Sequence, residues 1–265
     1  MLSDLAISRQ IFSNFAQKFS THLDLDVALV GAGPSNLVAG YYLGLKGIKA
    51  AIFESKLAPG GGMWGGGMMF NEIVVQQGAK EVLDELLIPH RPGEKGYYVL
   101  DSVLATSYLI YKCISAGTPI FNLVKVVDVL FREVDGSPKV SGVVINWSPV
   151  ESLGLHVDPL GVMAKAVVDG TGHPAEVCKV VSSKLGVQLN TPTGKVVGEL
   201  PLWAEKGEEF TVENTKEVYP GLFAGGMAAN NAFGGPRMGP IFGGMLLSGK
   251  KLAGLLERYI RSAQE

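Results

Sequence analysis

Two glycine clusters with an acidic residue between them are the segments of this sequence best suited to bind a ligand. The clusters span residues 31–36 and 60–67, and Glu54 ends an apolar run that lies between them. Backbone N–H groups of a glycine turn can approach a pyrophosphate, and a following helix N-terminus favours the negative charge. Glu54 follows Gly31 by 23 residues, close to the spacing of about 20 expected for a carboxylate that accepts ribose hydroxyls. The pattern predicts an adenine dinucleotide site; the alternative is a tight turn without a ligand.

One residue departs from the usual glycine fingerprint. Asn36 occupies the place of the third glycine, which normally allows the helix to pack closely on the strand. We therefore expect Asn36 either to displace the helix slightly or to bond backbone or ligand through its amide.

A carboxylate and an imidazole form the best candidate metal site. Asp158 and His173 suit a divalent first-row metal such as Fe(II). His156 lies two residues before Asp158, so it shares a face with it on an extended segment and is a candidate third ligand or acid–base group. Plainer interpretations remain: a turn for Asp158, a helix start for His173 and an exposed loop for His156. Two protein ligands do not complete the coordination shell of a metal ion, so substrate, water or a neighbouring subunit must supply the other ligands.

A single arginine lies in a loop of glycine and proline residues. Arg237 occurs in the segment 234–240 with no acidic neighbour in the sequence. Its guanidinium fork suits a small carboxylate or phosphate. The alternative is an arginine on a surface loop.

The elements that must position these residues alternate along the chain. Apolar runs predict strands at 27–30, 50–53, 119–123, 124–131, 140–147 and 162–168, and a strand followed by a glycine turn within 218–226. Helical patterns cover 3–22, 34–47, 79–87 and 101–116, a segment after His173 to about residue 185, and the end of the chain from about residue 242. The order predicts one α/β domain over residues 1–265, with a doubly wound sheet, a small β-rich insertion and the ligand at the strand C-termini. Residues 190–209, rich in Thr, Pro, Gly and Glu, suggest a mobile loop or lid.

Composition limits the partners and the compartment. The chain has 265 residues with a net charge of −2 and 47% hydrophobic residues, so no basic field favours nucleic acid or an anionic membrane. We find neither an apolar run of membrane-spanning length nor a signal-peptide pattern. Cys113 and Cys178 lack metal-ligand spacing, which favours buried free thiols in a reducing cytoplasm.

Six motifs together resemble the thiazole synthase family of thiamine biosynthesis found in eukaryotes, archaea and some bacteria. The motifs are, in chain order, residues 31–36, Glu54-Ser55, residues 60–67, His156-Val157-Asp158-Pro159, Thr171-Gly172-His173 and residues 235–240. The resemblance runs from about residue 7 to about residue 260. It implies a dinucleotide-binding fold related to that of glutathione-reductase-type flavoproteins.

The resemblance implies a reaction that consumes NAD as a carbon source. Nicotinamide is lost, the ADP-ribose opens to a carbonyl compound, glycine condenses with it as an imine, sulfur adds, and the ring closes with loss of water. The implied product is an adenylated thiazole carboxylate, and the implied partners are NAD, glycine and sulfide.

The resemblance also assigns roles to residues. Asp158 and His173 hold Fe(II) between adjacent protomers of an octamer, Arg237 binds the glycine carboxylate, and His156, Asp158 and His173 are the catalytic residues. The residues expected to contact NAD are Gly31, Gly33, Ser35, Glu54, Ser55, Gly62, Val126, His156, Val157, Asp158 and Met227.

One position indicates the subtype. Eukaryotic members of the family carry a cysteine immediately before the x-Asp-Pro motif, and that cysteine gives up its own sulfur. Here the position is His156, and neither Cys113 nor Cys178 lies in an equivalent motif. The chain therefore resembles the branch that uses free sulfide with Fe(II) and turns over repeatedly.

Two other functions fit parts of the sequence. Residues 218–226 are similar to the second flavin fingerprint of FAD-dependent oxidoreductases, but they end in Gly225-Gly226 where that fingerprint has Gly-Asp. A dinucleotide-binding sensor or scaffold without catalytic activity would leave Asp158, His173 and Arg237 without a role.

Overall fold

The computed structural model describes residues 2–134 and 136–262. The strands are β1 (Asp24–Val30), β2 (Ala50–Glu54), β3 (Glu72–Val75), β4 (Arg91–Pro92), β5 (Tyr98–Asp101), β6 (Ile120–Asn122), β7 (Val124–Val134), β8 (Ser137–Trp147), β9 (Leu160–Asp169), β10 (Lys216–Tyr219) and β11 (Leu222–Ala224). The α-helices are α1 (Asp4–Thr21), α2 (Pro34–Leu45), α3 (Lys80–Leu86), α4 (Ser102–Ser115), α5 (Ser148–Ser152), α6 (Glu176–Lys184), α7 (Ala204–Glu213), α8 (Met227–Phe233) and α9 (Gly243–Ser262).

A mostly parallel sheet forms the centre of the fold. Six of its strands follow the order β10-β11-β9-β1-β2-β6, in which β10 and β11 are antiparallel and the other neighbouring strands are parallel. Strand β1 has β2 on one side and the second half of β9 on the other. The carboxyl ends of the parallel strands therefore meet at one edge, which is where ligands bind in such sheets.

Side chains of the central strands alternate between two apolar layers. On β1, Val27 and Leu29 belong to a core cluster shared with α2, α4 and α9. Ala28 and Val30 belong to a second cluster on the opposite face, shared with α6, α8 and the hairpin of β7 and β8. Burial of both faces explains why these strands are continuous apolar runs, and the predicted doubly wound α/β class is confirmed.

The β-rich part of the chain has two pieces. The β7–β8 hairpin joins the central sheet because β8 pairs with the first half of β9. A separate sheet of three strands, in the order β3-β5-β4, is formed within residues 72–101. Strands β4 and β5 lie between the predicted helices 79–87 and 101–116, where the prolines and glycines of the sequence indicate a loop.

Other predicted boundaries also need correction. Residues 190–203 are irregular, but α7 begins at Ala204, so the predicted loop over 190–209 is too long. The reason is that Gly207 and Glu208 pack inward against the start of α9 and the loop before it. The strand predicted within 218–226 is the antiparallel pair β10 and β11, because Gly221 turns the chain with a φ of +79°. Helix α8 was not predicted.

The N-terminal helix lies on the outside of the fold. Helix α1 has no buried residue, and it touches the rest of the chain near its end, where Phe19 packs edge-on against Phe121 with ring centroids 5.2 Å apart. Among the residues that the structure describes, no helix combines the length and apolar composition needed to cross a membrane.

Candidate functional site

The first glycine turn connects β1 to α2 and lies against the loop after β9. Gly31 has a φ of +86°, and a Cβ there would lie 2.7 Å from the carbonyl oxygen of Gly170, so a larger residue would clash with backbone. The Gly31 N–H donates to the Phe53 carbonyl oxygen at 2.8 Å, and Gly33 is the N-cap residue of α2. The helix N-terminus is therefore held at the carboxyl edge of the sheet, where its N–H groups and dipole favour an anion.

Asn36 stabilises this turn through hydrogen bonds from its side-chain amide. Its Nδ2 donates to the carbonyl oxygens of Val30 at 3.0 Å and Gly31 at 2.8 Å. The departure from the glycine fingerprint is thus explained by the second expected use of Asn36, a bond to backbone.

Glu54 joins the end of β2 to the same turn. Its Oε2 accepts the Ala32 N–H at 2.7 Å, and its Oε1 accepts the Lys56 N–H at 2.7 Å. The residue is 6% exposed. Bonds from backbone donors hold the carboxylate at the strand end, which is the place where a ribose hydroxyl would meet it.

The second glycine cluster closes over the first. Residues Gly61–Gly65 form a short 3₁₀ helix, and the Gly60 N–H donates to the Ala32 carbonyl oxygen at 2.8 Å. Gly61 has a φ of +60°, and a Cβ there would lie 3.4 Å from the Gly33 Cα. The two turns therefore lie side by side, and Gly33 and Gly61 line the same cavity.

A cavity of about 570 Å³ lies at the carboxyl edge of the sheet. The predicted site residues that line it are Gly31, Gly33, Ser35, Glu54, Ser55, Gly62, Val126, His173, Met227 and Arg237. Its volume is in the range of small-molecule and cofactor sites, about 300–1,000 Å³. The fold thus brings together residues that are spread over most of the chain.

A buried chain of hydroxyl groups fixes the proton of Ser35. The Thr215 hydroxyl donates to the Thr211 carbonyl oxygen at 2.8 Å and lies 2.6 Å from the Ser248 hydroxyl, which in turn lies 3.1 Å from the Ser35 hydroxyl. Each hydroxyl has one proton, so Ser248 must donate to Thr215, and Ser35 must donate to Ser248. Ser248 also accepts the Gly226 N–H at 2.8 Å. Ser35 therefore turns a lone pair, and not its proton, towards the cavity.

A glutamate that the sequence did not single out lies between His173 and Arg237. His173 Nδ1 is 2.8 and 2.9 Å from the two carboxylate oxygens of Glu199, and Arg237 Nε is 4.0 Å from Glu199 Oε2. Arg237 has no acidic neighbour in the sequence, but Glu199, which is distant in sequence, lies close to it in space. In the sequence, Glu199 is distinguished only as an isolated acidic residue in a loop rich in proline and glycine.

The predicted metal ligands lie apart within one chain. His156, Val157 and Asp158 lie in the loop before β9, and Val157 and Asp158 line a separate small cavity of about 40 Å³ beside Trp147. His173 follows β9 at the other end of that strand and lines the main cavity. Over residues 2–134 and 136–262, no three His, Cys, Asp or Glu side chains cluster as metal ligands. A single chain therefore offers His173 and Asp158 on different surfaces.

The cysteines are far from any such role. Cys113 and Cys178 are free and buried, as the sequence predicted. Burial raises the pKa of the Cys113 thiol to about 12, and burial with the nearby Asp169 charge raises the pKa of the Cys178 thiol well above its usual range. Because the thiolate is the reactive form, both are poor nucleophiles.

Comparisons with known proteins agree over the whole chain. The Thi4 family model matches residues 8–242. Proteins named thiamine thiazole synthase from Methanothermobacter thermautotrophicus and Pyrococcus furiosus are 52% and 53% identical, over 96% of this chain and 97% and 96% of their own lengths. The crystal structure of Thermovibrio ammonificans THI4 matches with a TM-score of 0.96 and 52% identity over 100% of both chains.

Proposed function

The chain belongs to the Thi4 family, and we propose that it is an enzyme that makes the thiazole unit of thiamine. Relatives that carry the name thiamine thiazole synthase are about half identical to it and span nearly its full length. The observation that carries the proposal is the cavity of about 570 Å³ at the carboxyl edge of the sheet, which Glu54, Met227 and Arg237 line together.

NAD is the proposed adenylated substrate. The glycine turn at Gly31 and Gly33 places the N-terminus of α2, with Gly33 as its N-cap residue, where its dipole favours the pyrophosphate. Glu54 offers a buried carboxylate to a ribose. Ser35 presents a lone pair to the cavity and can therefore accept a hydrogen bond from a hydroxyl of the substrate. A phosphate oxygen is a poorer partner for this lone pair, because it too is a hydrogen-bond acceptor.

Glycine is the proposed amino-acid substrate, and Arg237 is its proposed carboxylate partner. Arg237 lines the cavity, and its planar guanidinium fork can hold a carboxylate through two parallel hydrogen bonds. Its side chain is 58% exposed, so the substrate carboxylate can reach it without displacing a buried group.

Fe(II) is the proposed metal, and two features of this chain fit it. His173 presents one ring nitrogen to a carboxylate, as metal-binding histidines usually do, and imidazole and carboxylate donors suit this ion. Because Asp158 lines a different cavity from His173, we propose that a second copy of the chain brings its Asp158 to the site within a homo-oligomer. When bound, the ion supplies Lewis-acid polarisation and orients the reacting groups.

Free sulfide is the proposed sulfur source. His156 carries no sulfur at the position where sacrificial members have a cysteine. Cys113 and Cys178 are both 0% exposed, and their raised thiol pKa values disfavour nucleophilic attack. A protein that keeps its own sulfur can act repeatedly.

An anaerobic incubation with NAD, glycine, sulfide and Fe(II), followed by liquid chromatography and mass spectrometry, tests the proposal. We expect an adenylated thiazole carboxylate that disappears when any one component is omitted. Formation of no thiazole by folded, NAD-binding protein would contradict the proposed activity. A purified protein with flavin absorbance would instead favour an FAD-dependent oxidoreductase.

A further inference from the structure

Glu199 lies in a loop that is paired, backbone to backbone, with the loop that carries Arg237. The Leu200 N–H donates to the Gly235 carbonyl oxygen at 2.9 Å, and the Arg237 N–H donates to the Leu200 carbonyl oxygen at 3.2 Å. The Trp203 N–H donates to the Arg237 carbonyl oxygen at 3.0 Å. These bonds, on the residues beside Glu199, fix its Cα relative to Arg237.

The His173 backbone is tied to the same structure. Asn231 in α8 donates from its side-chain amide to the His173 carbonyl oxygen. The Gly198 N–H donates to the Asn231 carbonyl oxygen at 3.0 Å. Asn231 therefore bonds both the backbone of His173 and the backbone of Gly198, which precedes Glu199. These bonds hold the two residues in place for the contact between their side chains.

The chemistry of the contact decides which nitrogen of His173 carries a proton. A carboxylate only accepts hydrogen bonds, so Nδ1, which faces both Glu199 oxygens, must donate. In the neutral ring Nε2 then holds the lone pair. Metal-binding histidines commonly have their second nitrogen oriented by a carboxylate in this way.

Glu199 is held on its other side as well. Its side chain is 15% exposed, whereas those of His173 and Arg237 are 52% and 58% exposed. The Arg237 guanidinium faces Oε2 at 4.0 Å. The more buried carboxylate thus lies between the two exposed groups that would meet metal and substrate.

We infer that Glu199 is a positioning residue: it holds the His173 ring with Nε2 as the metal-binding nitrogen, next to the Arg237 subsite. The inference rests on the proposed metal role of His173 and adds a residue to it. Glu199 itself touches neither the metal nor the substrate.

Co(II) binding to the full-length protein provides the test, because it does not depend on turnover. Glu199→Ala removes the acceptor for Nδ1–H and should weaken Co(II) binding by about 10- to 100-fold. Glu199→Gln keeps an amide oxygen that can accept this proton, so it should recover part of the loss. Affinity is read from an absorbance titration with Co(II), and the NAD affinity of each variant is measured alongside.

Two control variants distinguish failure of the positioning role of Glu199 from failure of the metal role of His173. Glu205→Gln, an exposed carboxylate on α7, should leave Co(II) affinity unchanged, and His173→Ala should abolish the site. Wild-type Co(II) affinity in Glu199→Ala, with loss in His173→Ala, would overturn the positioning role and leave the proposed function standing. Wild-type affinity in both variants would overturn the metal role of His173 as well. If Glu199→Ala does not fold, Glu199→Gln still provides a test. A loss of Co(II) affinity in Glu199→Gln as large as that in His173→Ala, with normal NAD binding, would contradict the expected rescue.

Discussion

The side chain of Asn36 lies directly against the Cα of Gly170, and a Cβ on Gly170 would be 2.2 Å from the Asn36 amide nitrogen. In the usual fingerprint, the helix carries a small residue at this position so that it can approach the strand. Here the small residue is on the opposite loop, and the helix carries a side chain that bonds the turn. Helix α2 and the loop after β9 therefore still pack closely, because the small residue is on the loop and the larger side chain is on the helix.

Gly170→Ala should destabilise the protein because the new methyl group cannot fit beside Asn36. Overpacking of this kind costs about 1–3 kcal/mol of unfolding free energy, measurable by urea unfolding. Gly65→Ala is the matched control, since a Cβ there meets nothing within 4 Å. Equal stability of the two variants would show that Asn36 moves away without cost.

Glu54→Gln should weaken NAD binding. The change replaces a charged acceptor by an amide, and its NH₂ group then faces one of the two backbone donors that Glu54 now accepts, the N–H of Ala32 or that of Lys56. Loss of charge-assisted hydrogen bonds costs about 1.5–3 kcal/mol, roughly 10- to 100-fold in affinity. Isothermal titration with NAD measures it. Unchanged affinity in a folded variant would rule out Glu54 as the ribose acceptor.

Arg237→Lys should raise the glycine concentration needed for half-maximal rate and leave NAD affinity intact. Lysine keeps the positive charge but loses the planar fork that holds a carboxylate with two bonds. Steady-state kinetics in glycine, with an NAD titration as control, separates the two effects. Equal loss of both ligands would indicate a folding defect and not a glycine subsite.

Glu208→Gln should stabilise the protein at alkaline pH more than at acidic pH. Burial raises the pKa of Glu208 to about 7, although the Gly244 N–H and the adjacent Gln76 act against this rise. Between its usual pKa and about 7, the folded state binds more protons than the unfolded state, so the free energy of unfolding falls as pH rises. The uncharged amide removes this dependence, and the gain at pH 8 relative to pH 4.5 should be on the order of 3 kcal/mol.

Urea unfolding of Glu208→Gln at several pH values measures this gain. Glu209→Gln, one residue further along α7 and exposed beside Lys206, is the matched control and should show no such trend. A difference between Glu208→Gln and wild type that stays constant with pH would mean that Glu208 does not titrate in this range.

The sequence predicted the parts of the site that local pattern determines. Glu54 could be placed because an apolar run sets the end of β2, and the glycine turn at Gly31 could be placed in the same way. Glu199 could not be predicted, because its contact with His173 depends on backbone pairing between two loops without regular structure. The short strands β4 and β5 were missed because Pro92 and Gly93, in and beside β4, indicate a loop. The separation of Asp158 from His173 follows from the length of β9, and local spacing carries no information about it.

Intact-protein and product mass spectrometry after incubation with ³⁴S-labelled sulfide, NAD, glycine and Fe(II) tests the central claim most directly. We predict an adenylated thiazole that carries the ³⁴S label, in several-fold molar excess over protomers, from a protein of unchanged mass. Unlabelled product at no more than one per protomer, with the protein lighter by one sulfur atom, would contradict the account.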